Sequence, residues 1–208
     1  MSLVAKAATG ETREPVTEGV HIAICVALID GGEQIVDYKD QRKLQEKIII
    51  TWEIPDDTYE YEGETHPKQI SRIYTNSLGE RATLRQHLEA WRGRSFTDKE
   101  LAGFDLRNVL GKACQMQIIH QERNNRVYAN IKTIMAVPKG MKVPEPSNEL
   151  VAFDLDEEKA LDKLETLPSW VQQYVRGSVT YEKMVGDEEF QELEEDDLPF
   201  WAGEGRDK

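Results

Sequence analysis

Residues 20–30, VHIAICVALID, alternate strictly: Val20, Ile22, Ile24, Val26 and Leu28 fall on one parity, His21, Ala23, Cys25 and Ala27 on the other. Successive side chains of a strand point to opposite faces, so this stretch predicts a strand with one apolar face and one face of small residues. Gly31 and Gly32 follow and predict a sharp reversal. Two extended stretches come next, 34–38 and 42–55, rich in β-branched and aromatic types. Residues 56–67, DDTYEYEGETHP, read as a polar loop or distorted hairpin tip, and 69–77, QISRIYTNS, as the third strand.

The period then changes. In ERATLRQHLEAWRGR, Leu84, Leu88 and Trp91 recur at helical spacing between charged residues, which predicts an amphipathic helix of about three turns. Thr97 with Glu100 fits a capped turn, and Phe104, Leu106, Val109 and Leu110 add core. Two more strands follow at 112–121 and 126–137, joined by a turn at Arg123, Asn124 and Asn125, because asparagine tolerates positive φ. Pro138, Pro144 and Pro146 mark the exit from the sheet.

The order is strand, strand, strand, helix, strand, strand. It predicts a mainly β fold, a five-stranded Greek-key barrel of the oligonucleotide-binding (OB) type with a helix between strands 3 and 4. A generic α+β sandwich has the same elements. The barrel domain is placed at 16–146, after a disordered N-terminus at 1–15. A helical extension follows at 147–185, with Leu161, Leu164, Trp170, Val171 and Tyr174 available to pack on the body. Beyond Gly186 there is too little apolar area to offset the entropy of ordering, so 186–208 reads as a disordered acidic tail.

Charge sharpens this division. Residues 145–208 carry 19 Asp and Glu against 6 Lys and Arg, whereas the first 144 residues carry 20 of each, so the net −13 resides in the C-terminal third. A neutral average leaves room for basic faces on the body. Cys25 and Cys114 both sit in apolar strands and read as buried, reduced thiols. The sequence shows no long apolar run and no signal-peptide pattern, so no membrane contact is expected and the cytoplasm is the expected location.

No phosphate loop, dinucleotide turn, HExxH helix or nucleophile elbow appears, and His21, His66, His87 and His120 have no zinc spacing. No cofactor, metal or enzymatic activity is expected. Asp56 with Asp57, and Asp154, Asp156 and Glu157, are groups that a magnesium-dependent nuclease would use, but a chain with 39 acids produces such groups by chance. The last strand is more specific. Alternation sets Val127, Ala129, Ile131, Met135 and Val137 on a core face and Arg126, Tyr128, Asn130 and Lys132 on the other; in the third strand Lys68, Arg72 and Tyr74 share a parity, opposite Ser71, Ile73 and Thr75. Rings on which bases stack, flanked by cations that follow phosphates, are what unpaired nucleic acid needs. The candidate nucleic-acid-binding residues are therefore Lys43, Lys47, Arg72, Tyr74, Lys112, Arg126, Tyr128 and Lys132, with further cations at Lys39, Arg42, Arg92 and Arg94. Ordinary exposed strands show the same mixture. Trp52 shares a face with Ile48 and Ile50 and reads as core.

The acidic run ending in Asp196, Asp197, Leu198, Pro199 and Phe200 resembles the tail of bacterial single-stranded DNA-binding proteins. In that family the tail recruits replication and repair enzymes, which implies partner binding at these five residues. The family's tail stops at Phe, whose terminal carboxylate is part of the signal; here Trp201 to Lys208 follow, which leaves competition with DNA for the basic groove as another use of the acids. The central segment ISRIYTNSLGERATLRQHLEAWRGRSFTDKELAGFDLRNVLGKAC at 70–114, with YANI at 128–131 and PKGM at 138–141, is similar to a group of bacteriophage and prophage proteins encoded among replication or recombination genes. The resemblances imply a non-enzymatic protein that coats single-stranded DNA and recruits replication or recombination proteins through its tail. A phage interaction protein that binds or inhibits a host protein without nucleic acid is the alternative. The sequence leaves homodimer formation open.

Overall fold

The computed structural model describes residues 14–38, 41–124 and 126–191. Its architecture is mainly β. Strand β1 (Gly19–Tyr38) pairs antiparallel with β2 (Gln41–Tyr61) and, through Gly19–Ile24, with β4 (Ala113–Arg123). β2 pairs with β3 (Glu64–Thr75) and β4 with β5 (Arg126–Met135), which gives the order β3-β2-β1-β4-β5. A short β6 (Val151–Phe153) then runs parallel to β1 beside Ala27–Ile29, on the edge that β4 leaves at Ile24. The sheet thus has six strands where five were expected.

It is also open. Among the described residues β3 and β5 share no backbone ladder. Helix α1 (Thr83–Arg92) packs against both of these edges, burying Leu84, Leu88 and Trp91 as its spacing predicts. Trp91 Nε1 donates to Ala113 O at 2.7 Å, and the Tyr74 hydroxyl meets His87 Nδ1 at 2.8 Å. Side chains, rather than a ladder, join the ends of the sheet. Gly93 in the left-handed region (φ 66°) stops α1. The Thr97–Glu100 capping box then opens α2 (Asp98–Ala102), and a 3₁₀ turn at Leu106–Val109 leads into β4.

Gly31 and Gly32 do not reverse the chain. β1 continues through them to Tyr38, opposite Gln41, and its register on β2 slips between Asp30 and Glu33. Gly32 has φ +66° and a Cβ there would lie 2.7 Å from Ser178 Oγ, so this bulge admits only glycine. The expected loop at 56–67 is likewise strand: β2 and β3 continue to a two-residue turn at Glu62 (φ 52°) and Gly63 (φ 83°). A slip between Ile54 and Thr58 absorbs Pro55, which has no N–H for the ladder. The β4–β5 turn is as expected, with Asn124 at φ 52°.

Two cores sandwich β1 and β2. On the inner face Ile50, Trp52, Ile54, Met116 and Ile118 pack with α1, and Trp52 is fully buried as expected. On the outer face Ile29 and Ile49 are covered by Phe153 of β6, Leu155 just after it, Leu164 of α3 (Ala160–Leu164) and Val171 and Val175 of α4 (Ser169–Arg176). Trp170, expected to pack, stays 45% exposed. Buried Glu53 tethers the segment leading to β6: its carboxylate accepts from Ser147 N (2.8 Å), Asn148 N (3.0 Å) and Asn148 Nδ2 (2.6 Å). Four residues further along β2, Asp57 accepts from Thr17 N and pairs with Lys68 Nζ at 2.9 Å. Both cysteines are free and buried; burial pushes the Cys25 thiol up to about 12 and raises Cys114 as well.

Helix α5 (Val179–Gln191) extends past Gly186, where disorder was expected to begin. The remaining tail, including Asp196 to Phe200, and residues 1–13 lie outside the described residues. Among the described residues no helix is long and apolar enough to cross a membrane.

Candidate nucleic-acid interface

The open edge of β3 is where cations gather. Two clefts flank it, and Arg72 lines both. The first, about 410 Å³, lies between the β3 and β5 edges and is lined by Ser71, Arg72, His87, Gln121, Asn130 and Lys132 among others, with no carboxylate. The second, about 840 Å³, lies between β3 and the start of α1 and holds Lys47, Arg72 and Arg81 against a single acid, Glu80. Exposed Ile73, at 42%, is part of its wall.

Each cation is set by its strand. Arg72 Nη1 donates to Ile131 O at 3.0 Å across the gap, and its guanidinium carbon lies 5.4 Å from the Tyr74 ring centroid. Lys47, cross-strand from Thr75, donates to Gln45 Oε1 (2.7 Å) and Thr75 Oγ1 (2.9 Å); desolvation draws its ammonium below the usual lysine range. Lys132 is the extra residue of a bulge in β5, where Gln117 pairs with Thr133 but Ile118 with Ile131. The bulge flips the parity beyond it. Ile134 turns into the core and Met135, expected inside, is 38% exposed.

The structure gathers some predicted site residues and disperses others. Lys47, Arg72 and Lys132 converge on the clefts; Arg126 and Tyr128, the latter 47% exposed, lie further along β5 on the hairpin that leads to them. Lys43 is exposed on β2 four residues from Lys47, about 13 Å along the strand. Lys112 precedes β4, at the opposite end of that strand from the hairpin, and does not join the group. Tyr74 is corrected outright: it is 3% exposed and part of the inner core, so it offers no stacking face. Its parity with Arg72 was right, but that face turns inward. Arg92 and Arg94 both engage Glu100, Arg42 pairs with Asp37 at 3.7 Å, and Lys39 lies outside the described residues.

Arg81, Gln121 and His87 were missed. Arg81 is exposed in the loop before α1, where no periodicity marks a residue as facing a site. His87 looked like one more polar position on the helix, yet burial, and next the charge of Arg72, push its imidazole down to about 4. The unfolded histidine titrates near 6.5, so the unfolded state takes the proton first and stability falls as the pH drops from about 6.5 to about 4. Urea unfolding of His87→Gln at a series of pH values between 7 and 4 is expected to give a flatter pH dependence than the parent; an identical slope would assign the effect to another group.

A third cleft has the opposite sign. This one, about 880 Å³ at the seam of the two cores, is lined by seven carboxylates, from Asp30, Glu33, Glu46, Asp105, Asp154, Asp156 and Glu157, against Arg107 and Lys183. Among the described residues no group of three or more His, Cys, Asp or Glu side chains is placed to hold a metal ion. No protein-family model matches the chain, and no curated protein matches it.

Proposed function

We propose that this chain is a non-enzymatic single-stranded DNA-binding protein of phage replication or recombination, built on a five-stranded OB-type barrel left open between β3 and β5. The observation that carries this is the pair of adjoining cationic clefts on the β3 edge of a body, residues 1–144, whose charges balance overall. The strand order supports the barrel: joining the two ends of β3-β2-β1-β4-β5 would close it, with α1 at the join. Lys47, Arg72, Arg81 and Lys132 track phosphates while exposed Tyr128 offers a ring, each stacked base contributing about 1–3 kcal/mol. Four phosphate contacts on a single strand give a slope of log affinity on log salt of about −3. The acidic tail, with Asp196, Asp197, Leu198, Pro199 and Phe200 at its apolar tip, recruits replication or recombination proteins.

Fluorescence-anisotropy titration of a labelled oligothymidine at low and moderate salt tests this. Binding that weakens with the stated slope is expected; no binding at low salt would refute the coating function. The seven-carboxylate cleft favours a second reading, an interaction protein that takes a cationic host protein there without nucleic acid.

A further inference from the structure

Beyond the body of the sheet, β1 and β2 continue as a two-stranded ribbon. Among the described residues, 33–38 of β1 and 41–46 of β2 form ladders only with each other. Such a ribbon is marginally stable in water by itself. It also exposes an opposed apolar pair, Ile35 at 57% and Leu44 at 54%. Two hydrogen bonds fix which way its backbone groups point. Glu33 N donates to Thr180 Oγ1 at 2.9 Å, away from β2, so by alternation Ile35 and Asp37 also turn their N–H and C=O to the outer edge of β1. Glu46 O accepts from Asn76 N at 2.9 Å, so Leu44 and Arg42 turn theirs to the opposite edge, on β2. Unpaired edges of this kind are templates for another strand.

We infer that the β1 edge of this ribbon pairs antiparallel with the same edge of a second copy of the chain, about a two-fold axis at Val36. Charge selects the register. An axis at Ile35 opposes Asp37 to Glu33 of the second copy, and an axis at Asp37 opposes the two Asp37 carboxylates. An axis at Val36 opposes Val36 to Val36, closes backbone hydrogen bonds between Ile35 and Asp37 in both directions, and brings both Ile35–Leu44 pairs onto one face. The β2 edge offers no equivalent. An axis there at Arg42 or Lys43 opposes like cations, and one at Leu44 puts Arg42 of the second copy where Asn76 already lies, opposite Glu46. The inference is independent of nucleic-acid binding.

Val36→Cys and Lys43→Cys in the full chain read which edge is used. Opposed residues of a non-hydrogen-bonded pair have Cα atoms about 4.5 Å apart, within disulfide range. Under mild oxidation Val36→Cys is expected to run as a covalent dimer on a non-reducing gel and Lys43→Cys as a monomer; the native Cys25 and Cys114 are buried and do not contribute. In sedimentation equilibrium the parent chain is expected to approach twice its 23.8 kDa as concentration rises. Asp37→Pro removes an outward N–H that β2 does not use, and is expected to weaken the dimer about tenfold or more through the two lost bonds. Arg42→Pro removes the corresponding N–H of the other edge and should leave the dimer unchanged. Both variants lose the exposed Asp37–Arg42 pair, so its effect cancels in the comparison. A parent chain that stays at the monomer mass throughout, cross-linking of Lys43→Cys in preference to Val36→Cys, or equal effects of the two prolines would overturn the inference.

Discussion

Glu53→Ala is expected to lower the stability of the folded chain by about 3 kcal/mol in urea unfolding. Three donors on the 147–148 segment converge on this one carboxylate, two of them backbone N–H groups that no side-chain rotation can redirect. Hydrogen bonds to a charged group are worth about 1.5–3 kcal/mol each; exposed Ser147 recovers its share from water, so the two bonds from Asn148, at the lower value, leave about 3 kcal/mol. The loss is also directional, because this tether leads into β6 and the outer core, so the 138–150 segment should become the first site of limited proteolysis. Glu53→Gln keeps one acceptor oxygen but turns an amide N–H toward donors, and should fall between parent and alanine variant. Glu122→Ala, exposed on β4, should stay within about 0.5 kcal/mol of the parent. If Glu53→Ala matched Glu122→Ala, the tether would have no energetic role.

The largest expected effect on binding belongs to Arg72. It lines both clefts, so its loss interrupts the cationic edge at its midpoint. Arg72→Ala should weaken oligothymidine binding about tenfold, the value of one charge-assisted contact, and make the salt slope shallower by about 0.7. Arg72→Lys separates charge from geometry. A lysine keeps the salt slope but cannot reproduce the planar fork that reaches Ile131 O, so an intermediate affinity with an unchanged slope is expected. Unaltered affinity in Arg72→Ala, with far-UV circular dichroism confirming the fold, would place the nucleic-acid site elsewhere.

The spacing of Leu84, Leu88 and Trp91 announced α1, because one face is buried and the period has a single interpretation. The alternation at 20–30 announced β1 as a strand but not its facing, since both faces are covered, Ala23 and Cys25 enter the inner core and Val20 of the apolar parity is 54% exposed. β3 was harder. Its inward parity carries Ile70 and Tyr74 but also Arg72, and a cation among inward residues is tolerated only because the strand lies at the open edge of the sheet. A ring beside a cation therefore looked like an exposed platform. The bulge at Lys132 left no mark in the sequence, since one extra residue changes facing without changing composition. The outer core did leave one: Ile48, Ile49 and Ile50 in succession signal a strand covered on both faces. What covers it, residues more than 100 positions later, is set by tertiary packing that local patterns do not encode.

The double cover on β1 and β2 has a consequence for how the chain emerges during synthesis. The β1–β2–β3 meander is made first and can pair as soon as it leaves the ribosome, whereas α3 and α4, which close over Ile29 and Ile49, follow roughly 100 residues later. At about 5–20 residues per second that is an interval on the order of 5–20 s. For that time a nascent chain presents an apolar sheet face whose cover does not yet exist. The capacity of the cell's chaperones to shield that face, rather than the stability of the finished fold, would then govern how much of the protein matures.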